Sequence, residues 1–146
     1  MSELKEQADF MAAVRAKDYK WRMECRYLHA SLNGARLGRG GRGWLTLERS
    51  GALKGVPDLF LPFPVGKWHG LYIEFKYGKN RATKEQCEFL FEASDNSYAV
   101  MLPYSAEEAL QKLDLYLGNA YGRMQLETVK TVNERYKRLN KNAQTD

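Results

Sequence analysis

The sequence predicts an α/β domain, a small central mixed β-sheet flanked by helices, on three observations. Two short runs rich in aromatic and branched residues, "PDLFLP" and "GLYIEFKY", stand either side of a short loop and read as neighbouring strands. "TKEQCEFLFEAS" and "SAEEALQKLDLYLG" repeat their apolar residues at helical spacing. Between these two lies "SYAVMLP", so nearly all apolar that it fits a strand buried on both faces. Strands alternating with helices in this way define the α/β class.

Taken in order, residues 3–16 form an amphipathic helix, with Ala8, Phe10, Met11 and Val14 on its apolar stripe and Ser2 placed to cap it. "CRYLHASLNG" reads as a short strand closed by the Asn33-Gly34 turn, followed by a Gly/Arg segment expected to be a mobile loop. "WLTLERSG" reads as a short helix that stops at Gly51, where glycine takes up a left-handed conformation. The loop "FPVGKWHG" is short enough to join the next two strands as an antiparallel hairpin. Thr83 with Gln86, and Ser105 with Glu108, have capping-box spacing at the starts of the two strong helices. A last helix is expected over 124–139 in the polar tail.

With 146 residues, 44% of them apolar, the chain suits one domain with a real core. No apolar run approaches the ~18 residues of a membrane-spanning helix. "MSELKEQADF" lacks an apolar signal core, so a cytoplasmic protein with no membrane partner is expected. Cys25 and Cys87 have no metal-ligand spacing and read as reduced packing residues. The net charge of +5 and a pI of about 9.2 favour a polyanionic partner. Arg36, Arg39 and Arg42 stand among glycines with no acidic residue nearby, and the tail from Asn119 on is also basic.

The informative stretch is Gly55–Gln86. Side chains alternate along a strand, so Tyr72, Glu74 and Lys76 share one face while Leu71, Ile73 and Phe75 share the other. A hairpin brings Asp58 to the same place. Two carboxylates and an ammonium then converge, a set that can hold a hard divalent cation and act on a water molecule beside it. The competing reading is a cross-strand ion pair on a solvated face, worth up to about 1 kcal/mol.

"KGVPDLFLP", "HGLYIEFK" and "TKEQCEFL" together resemble the VRR-NUC family, a branch of the PD-(D/E)xK nucleases, over residues 3–118. The family's Pro-Asp, loop, Glu-x-Lys motif matches Pro57-Asp58 and Glu74-Phe75-Lys76, and its helix-borne Gln matches Gln86. "HASLNG" is similar to the His-x-x-Asn-Gly turn of phage-type members, with one extra residue. The resemblance implies a restriction-endonuclease-like αβββαβ core over 1–118, followed by a basic, helical extension over 119–146. It implies Asp58 and Glu74 as ligands of Mg²⁺, with Mn²⁺ able to substitute, and Lys76 as the residue serving the attacking water. It also implies a carboxylate from the first helix, Glu3, with Glu6 one turn on as the alternative. Gln86 has two readings, catalytic and purely capping.

Arg36, Arg39 and Arg42, and Lys79, Arg81 and Lys84 beyond the strand, are candidate phosphate contacts. His29 and His69 read as structural. Tyr72 and Tyr77 flank the site and suit packing, or contact with a sugar or base. The function expected from the resemblance is a Mg²⁺-dependent endodeoxyribonuclease, structure-selective for branched DNA such as four-way junctions, working as a C₂ homodimer. Small versions of the domain are frequent in phages and prophages. The alternatives are a non-catalytic DNA-binding module on the same fold, or a protein-interaction domain with a chance motif.

Overall fold

The computed structural model describes residues 2–31 and 42–144, so Asn33-Gly34, Arg36 and Arg39 lie outside the described residues. Helix α1 (Glu3–Arg15) is followed by β1 (His29–Ala30), α2 (Arg42–Arg49), β2 (Leu59–Leu61), β3 (Leu71–Ile73), α3 (Lys84–Asp95), β4 (Ala99–Met101), α4 (Ala106–Leu117) and α5 (Gly122–Ala143). The four strands form one sheet in chain order. β1–β2 and β2–β3 are antiparallel and β3–β4 is parallel, as a helical crossover through α3 requires. The αβββαβ order is met by α1, β1, β2, β3, α3 and β4, with α2 inserted.

The alternation along the strands sorts the core into two layers. Leu59, Leu61, Leu71, Ile73, Phe75, Ala99 and Met101 face α1 and α4, where Phe10, Val14, Leu113 and Tyr116 meet them. Phe75 packs against Phe10 with ring centroids 5.7 Å apart. Val100 points the other way, into Cys87 and Leu90 of α3 and Val132 of α5. Each fully buried side chain of this size contributes about 1.5–3 kcal/mol, so α1 and α3 are held to the sheet mainly by these stripes. Both cysteines are buried and free, one in each layer.

Helix α5 covers the outer edge of β4. Gln125 accepts the Val100 N–H at 2.8 Å, and the Tyr121 hydroxyl donates to the Val100 carbonyl at 2.8 Å. An edge strand with satisfied backbone groups offers no template for another chain. The tail expected to form a helix over 124–139 is thus helical over a longer span and packed on both α3 and β4.

Two local expectations need correction. Among the described residues of "CRYLHASLNG", only His29 and Ala30 form a strand; Cys25 and Leu28 are both buried, three positions apart, and their backbones close turns (Cys25 N to Trp21 O, Leu28 N to Cys25 O). Helical spacing of the two apolar anchors outweighs strand propensity there. At α4, Ser105 caps the Glu108 N–H, but the Glu108 carboxylate reaches one residue further back, to the Tyr104 N–H at 2.7 Å. Ser2 caps α1, and Gly51 has φ +106°, both as expected. No helix among the described residues is long and apolar enough to cross a membrane.

Candidate active site

Asp58 sits immediately before β2 and Glu74 immediately after β3, where the ladder between these strands ends. On its other side the β3 chain goes on bonding to the β4 chain, through Glu74 N to Met101 O and Lys76 N to Pro103 O, both at 3.0 Å. On the β2 side, side chains replace the ladder. The Asp58 N–H donates to Glu74 Oε2 at 3.1 Å, and the Phe75 N–H donates to Asp58 Oδ2 at 2.8 Å. Each carboxylate therefore holds the backbone next to the other, which fixes both in position.

Lys76 Nζ lies 3.1 Å from Glu74 Oε1. Glu74 is only 2% exposed and Lys76 5%, so this is no cross-strand pair on a solvated face. Burial and the neighbouring Asp58 charge push the Glu74 carboxyl up to about 8, against the opposing pull of Lys76 and the Asp58 N–H. Asp58 is also raised, chiefly by burial, with the bond from Phe75 and the charge of Lys76 working the other way. Two carboxylates forced together in a low-dielectric setting favour whatever brings positive charge to them.

Gln86 meets both the helix start and the site. Its Oε1 accepts the Thr83 N–H at 2.9 Å and its backbone N–H donates to the Thr83 hydroxyl oxygen, completing the capping box of α3. Its Nε2 donates to Glu74 Oε1 at 2.6 Å. One amide thus ties the start of α3 to the buried carboxylate. Glycine at position 55, with φ +88°, lets the chain pass against that same helix start; a β-carbon there would fall 2.5 Å from the carbonyl carbon of Glu85.

The two helix carboxylates separate clearly. Glu6 Oε2 accepts the Ala106 N–H at 2.7 Å and so joins α1 to the first turn of α4. Glu3 Oε1 accepts from Asn80 Nδ2 at 3.0 Å, and its charge adds to the upward push on Asp58. Of the two, Glu3 is the one whose charge acts on Asp58.

Asp58, Glu74 and Gln86 open onto a cleft of about 330 Å³, whose other walls are Trp44 of α2, Lys54, Gly55 and Val56. Trp44 and Lys54 escaped the sequence reading. No spacing rule links α2 to the Asp58 strand; only the run "KGVPD", which puts Lys54 beside the motif, hinted at a shared wall. Lys79, Arg81 and Lys84 are exposed on the segment leading from the site into α3. Arg81 is steadied by hydrogen bonds to the Asn80 carbonyl and the Tyr104 hydroxyl. Arg42 begins α2.

No protein-family model matches the chain, and no curated protein matches it. A solved structure described as "VRR_NUC domain protein" superposes with a TM-score of 0.67, covering 81% of this chain and 89% of that one at 24% identity. The chain has a VRR-NUC-like fold: a mixed four-stranded sheet flanked by helices.

Proposed function

We propose that the chain is a divalent-metal-dependent DNA endonuclease, of the phage type, that hydrolyses phosphodiester bonds in the cytoplasm. The observation that carries this reading is the interlocked group of Asp58, Glu74, Lys76 and Gln86, of which Asp58, Glu74 and Gln86 line one wall of an open cleft.

The donor set suits Mg²⁺, with Mn²⁺ as a substitute. Among the described residues no group of three or more His, Cys, Asp or Glu side chains gathers closely enough to hold a metal. Two carboxylates with room for water and phosphate oxygens is the arrangement Mg²⁺ favours, unlike the full protein cage of zinc. Asp58 and Glu74 would hold the ion, which when bound activates a water and offsets charge on the phosphate. Lys76, fixed against Glu74, orients that water or takes its proton. Gln86 keeps the Glu74 carboxylate turned into the cleft, and Glu3 supplies further negative charge near Asp58. Lys79, Arg81, Lys84 and the arginines at 36, 39 and 42 contact phosphates and set the register of the duplex.

The proposed substrate is branched DNA such as a four-way junction, cut by a homodimer that presents two sites at a set distance. The test incubates supercoiled plasmid and a synthetic junction with Mg²⁺, Mn²⁺ or EDTA, with sedimentation of the protein alongside. Metal-dependent strand scission lost in Asp58→Ala is expected. Junction binding without scission under every metal condition would return the chain to a non-catalytic DNA-binding module.

A further inference from the structure

The face of the sheet that carries the site also carries a row of rings that catalysis does not use. Phe60 follows Asp58 by two positions and Tyr72 precedes Glu74 by two, so both rings lie on the same side of the sheet as the carboxylates. The two rings stack with centroids 4.5 Å apart. Tyr72 meets Phe89 edge-on at 5.0 Å and Tyr98 at 5.6 Å, and Tyr98 meets His69 at 5.5 Å. Helices α3 and α5 pack over β4, and the rings of Phe60, Tyr72, Phe89 and Tyr98 remain half-buried.

Tyr72, Phe89 and Tyr98 line an open cavity of about 460 Å³, together with His69, Glu92 and Asn96. That volume lies within the span of small-molecule sites, about 300–1,000 Å³. Its rim is polar. Asn96 spends one amide hydrogen on the Glu92 carbonyl at 2.8 Å, while its Oδ1, the Glu92 carboxylate and the His69 ring have no hydrogen-bond partner among the described residues. Aromatic walls with hydrogen-bonding groups at the mouth are what a nucleobase needs: a surface to stack on and an edge to be read.

We infer that this cavity binds an unpaired nucleobase of the DNA substrate, held against Tyr72, Phe89 and Tyr98 close to the bond being cut. The inference rests on the nuclease reading for where the DNA lies. The Glu92 carboxylate and Asn96 Oδ1 both accept, so a base whose exocyclic amino group offers two hydrogens is preferred over thymine, whose edge has the N3–H alone. A second copy of the chain is the competing occupant. The row's continuity with the site, two residues from each carboxylate, and the unpaired polar rim favour the base.

The test titrates the wild-type protein in EDTA with single-stranded oligonucleotides carrying one 2-aminopurine, beside a fully paired duplex labelled for anisotropy. Quenching of the probe is expected. Phe89→Ala, its fold checked by thermal melting, should weaken the single strand by about 5- to 150-fold, the span of one base stack, and leave the duplex unchanged. Glu92→Ala, at an exposed position, should erase the preference for cytosine over thymine in unlabelled competitors. Unquenched probe, or equal losses for single strand and duplex, would overturn the inference. So would a Phe89→Ala protein that changes only its sedimentation, since the surface would then join two copies. Quenching without any metal-dependent scission would keep the pocket and sink the enzyme, so the two readings fail separately.

Discussion

Asp58 and Glu74 hold each other through the backbone: the Asp58 N–H bonds to the Glu74 carboxylate, and the N–H that follows Glu74 bonds to the Asp58 carboxylate. The pair is therefore positioned before any ligand arrives. It is also electrostatically uncomfortable, since both groups are raised by burial and Glu74 further by the Asp58 charge.

That discomfort gives a pH dependence. The folded Glu74 carboxyl titrates at about 8 while the unfolded one titrates near 4.3, so between these values the native state holds a proton that the unfolded chain has released. Its contribution is fully present below about pH 4.3, declines as pH rises and is lost above about 8. In EDTA the wild type should melt at lower temperature at pH 8.5 than at pH 6, and Glu74→Gln should remove most of that difference. Mg²⁺ should restore more stability at pH 8.5, where no proton has to be displaced. Matching slopes in wild type and Glu74→Gln would show that another group sets the profile.

Gln86 and Thr83 allow capping to be separated from site support. Thr83→Ala removes the cap alone and should cost about 1 kcal/mol of stability. Gln86→Leu keeps the Thr83 cap but removes the return bond to the Thr83 N–H and the bond to Glu74, and should in addition lower metal affinity or cleavage by about 10- to 100-fold, as loss of a partner to a ligating carboxylate does. Paired melting and single-turnover cleavage would check this. Equal cleavage in the two variants would leave Gln86 with a purely structural role.

The parts legible in the sequence were those with a strong period or a fixed spacing. Alternation put Glu74 and Lys76 on one face, and the capping-box spacing marked the start of α3. Burial was not legible: nothing in "IEFKY" distinguishes a solvated ion pair from one sealed under a helix, because α3 supplies the cover from a later segment. The different partners of Glu3 and Glu6 were equally hidden, since Glu6 meets the Ala106 N–H, a hundred positions away, and Glu3 meets Asn80. Trp44 joined the cleft through the placement of α2, which no local pattern encodes. The turn at 25–28 was misread because Cys25 and Leu28 anchor it through tertiary packing that the aromatic residues around them disguise.

Two glycines separate strain from contact. Gly55 and Gly51 both have positive φ, but only Gly55 touches its surroundings, against the Glu85–Gln86 peptide. Gly51→Ala should cost on the order of 1 kcal/mol through backbone strain and leave cleavage intact. Gly55→Ala should cost more and also slow cleavage, because the start of α3, and Gln86 with it, must shift. Melting curves with cleavage rates for both would decide; unchanged cleavage in folded Gly55→Ala would detach the helix start from the chemistry.

Arg36, Arg39 and Arg42 should act through counterion release. Replacing all three with alanine should lower DNA affinity and flatten the plot of log affinity against log salt by about one unit for each lost phosphate contact. Anisotropy titrations across a range of salt concentrations measure this directly. An unchanged slope would place the DNA elsewhere.

The division of labour between Lys76 and Asp58 is the sharpest test of the mechanism. Asp58→Asn keeps an acceptor for the Phe75 N–H but removes the charge, so it should weaken Mg²⁺ binding, with cleavage partly recovered at high metal. Lys76→Met keeps most of the side-chain volume but leaves Glu74 without its ammonium partner. Above about pH 8, where Glu74 is ionised, stability should then fall by a few kcal/mol, about 3–5 for an uncompensated buried charge, and Mg²⁺ should compensate by taking the place of that ammonium. Metal affinity in this variant is expected to stay level or rise, while cleavage falls by about 10²–10⁴, the usual contribution of one acid–base group. An interaction made mainly in the transition state changes rate more than binding. Calorimetric Mg²⁺ titrations with single-turnover cleavage distinguish the two residues. If both variants lose metal affinity equally, Lys76 serves only to hold Glu74, and the water must be oriented by another group.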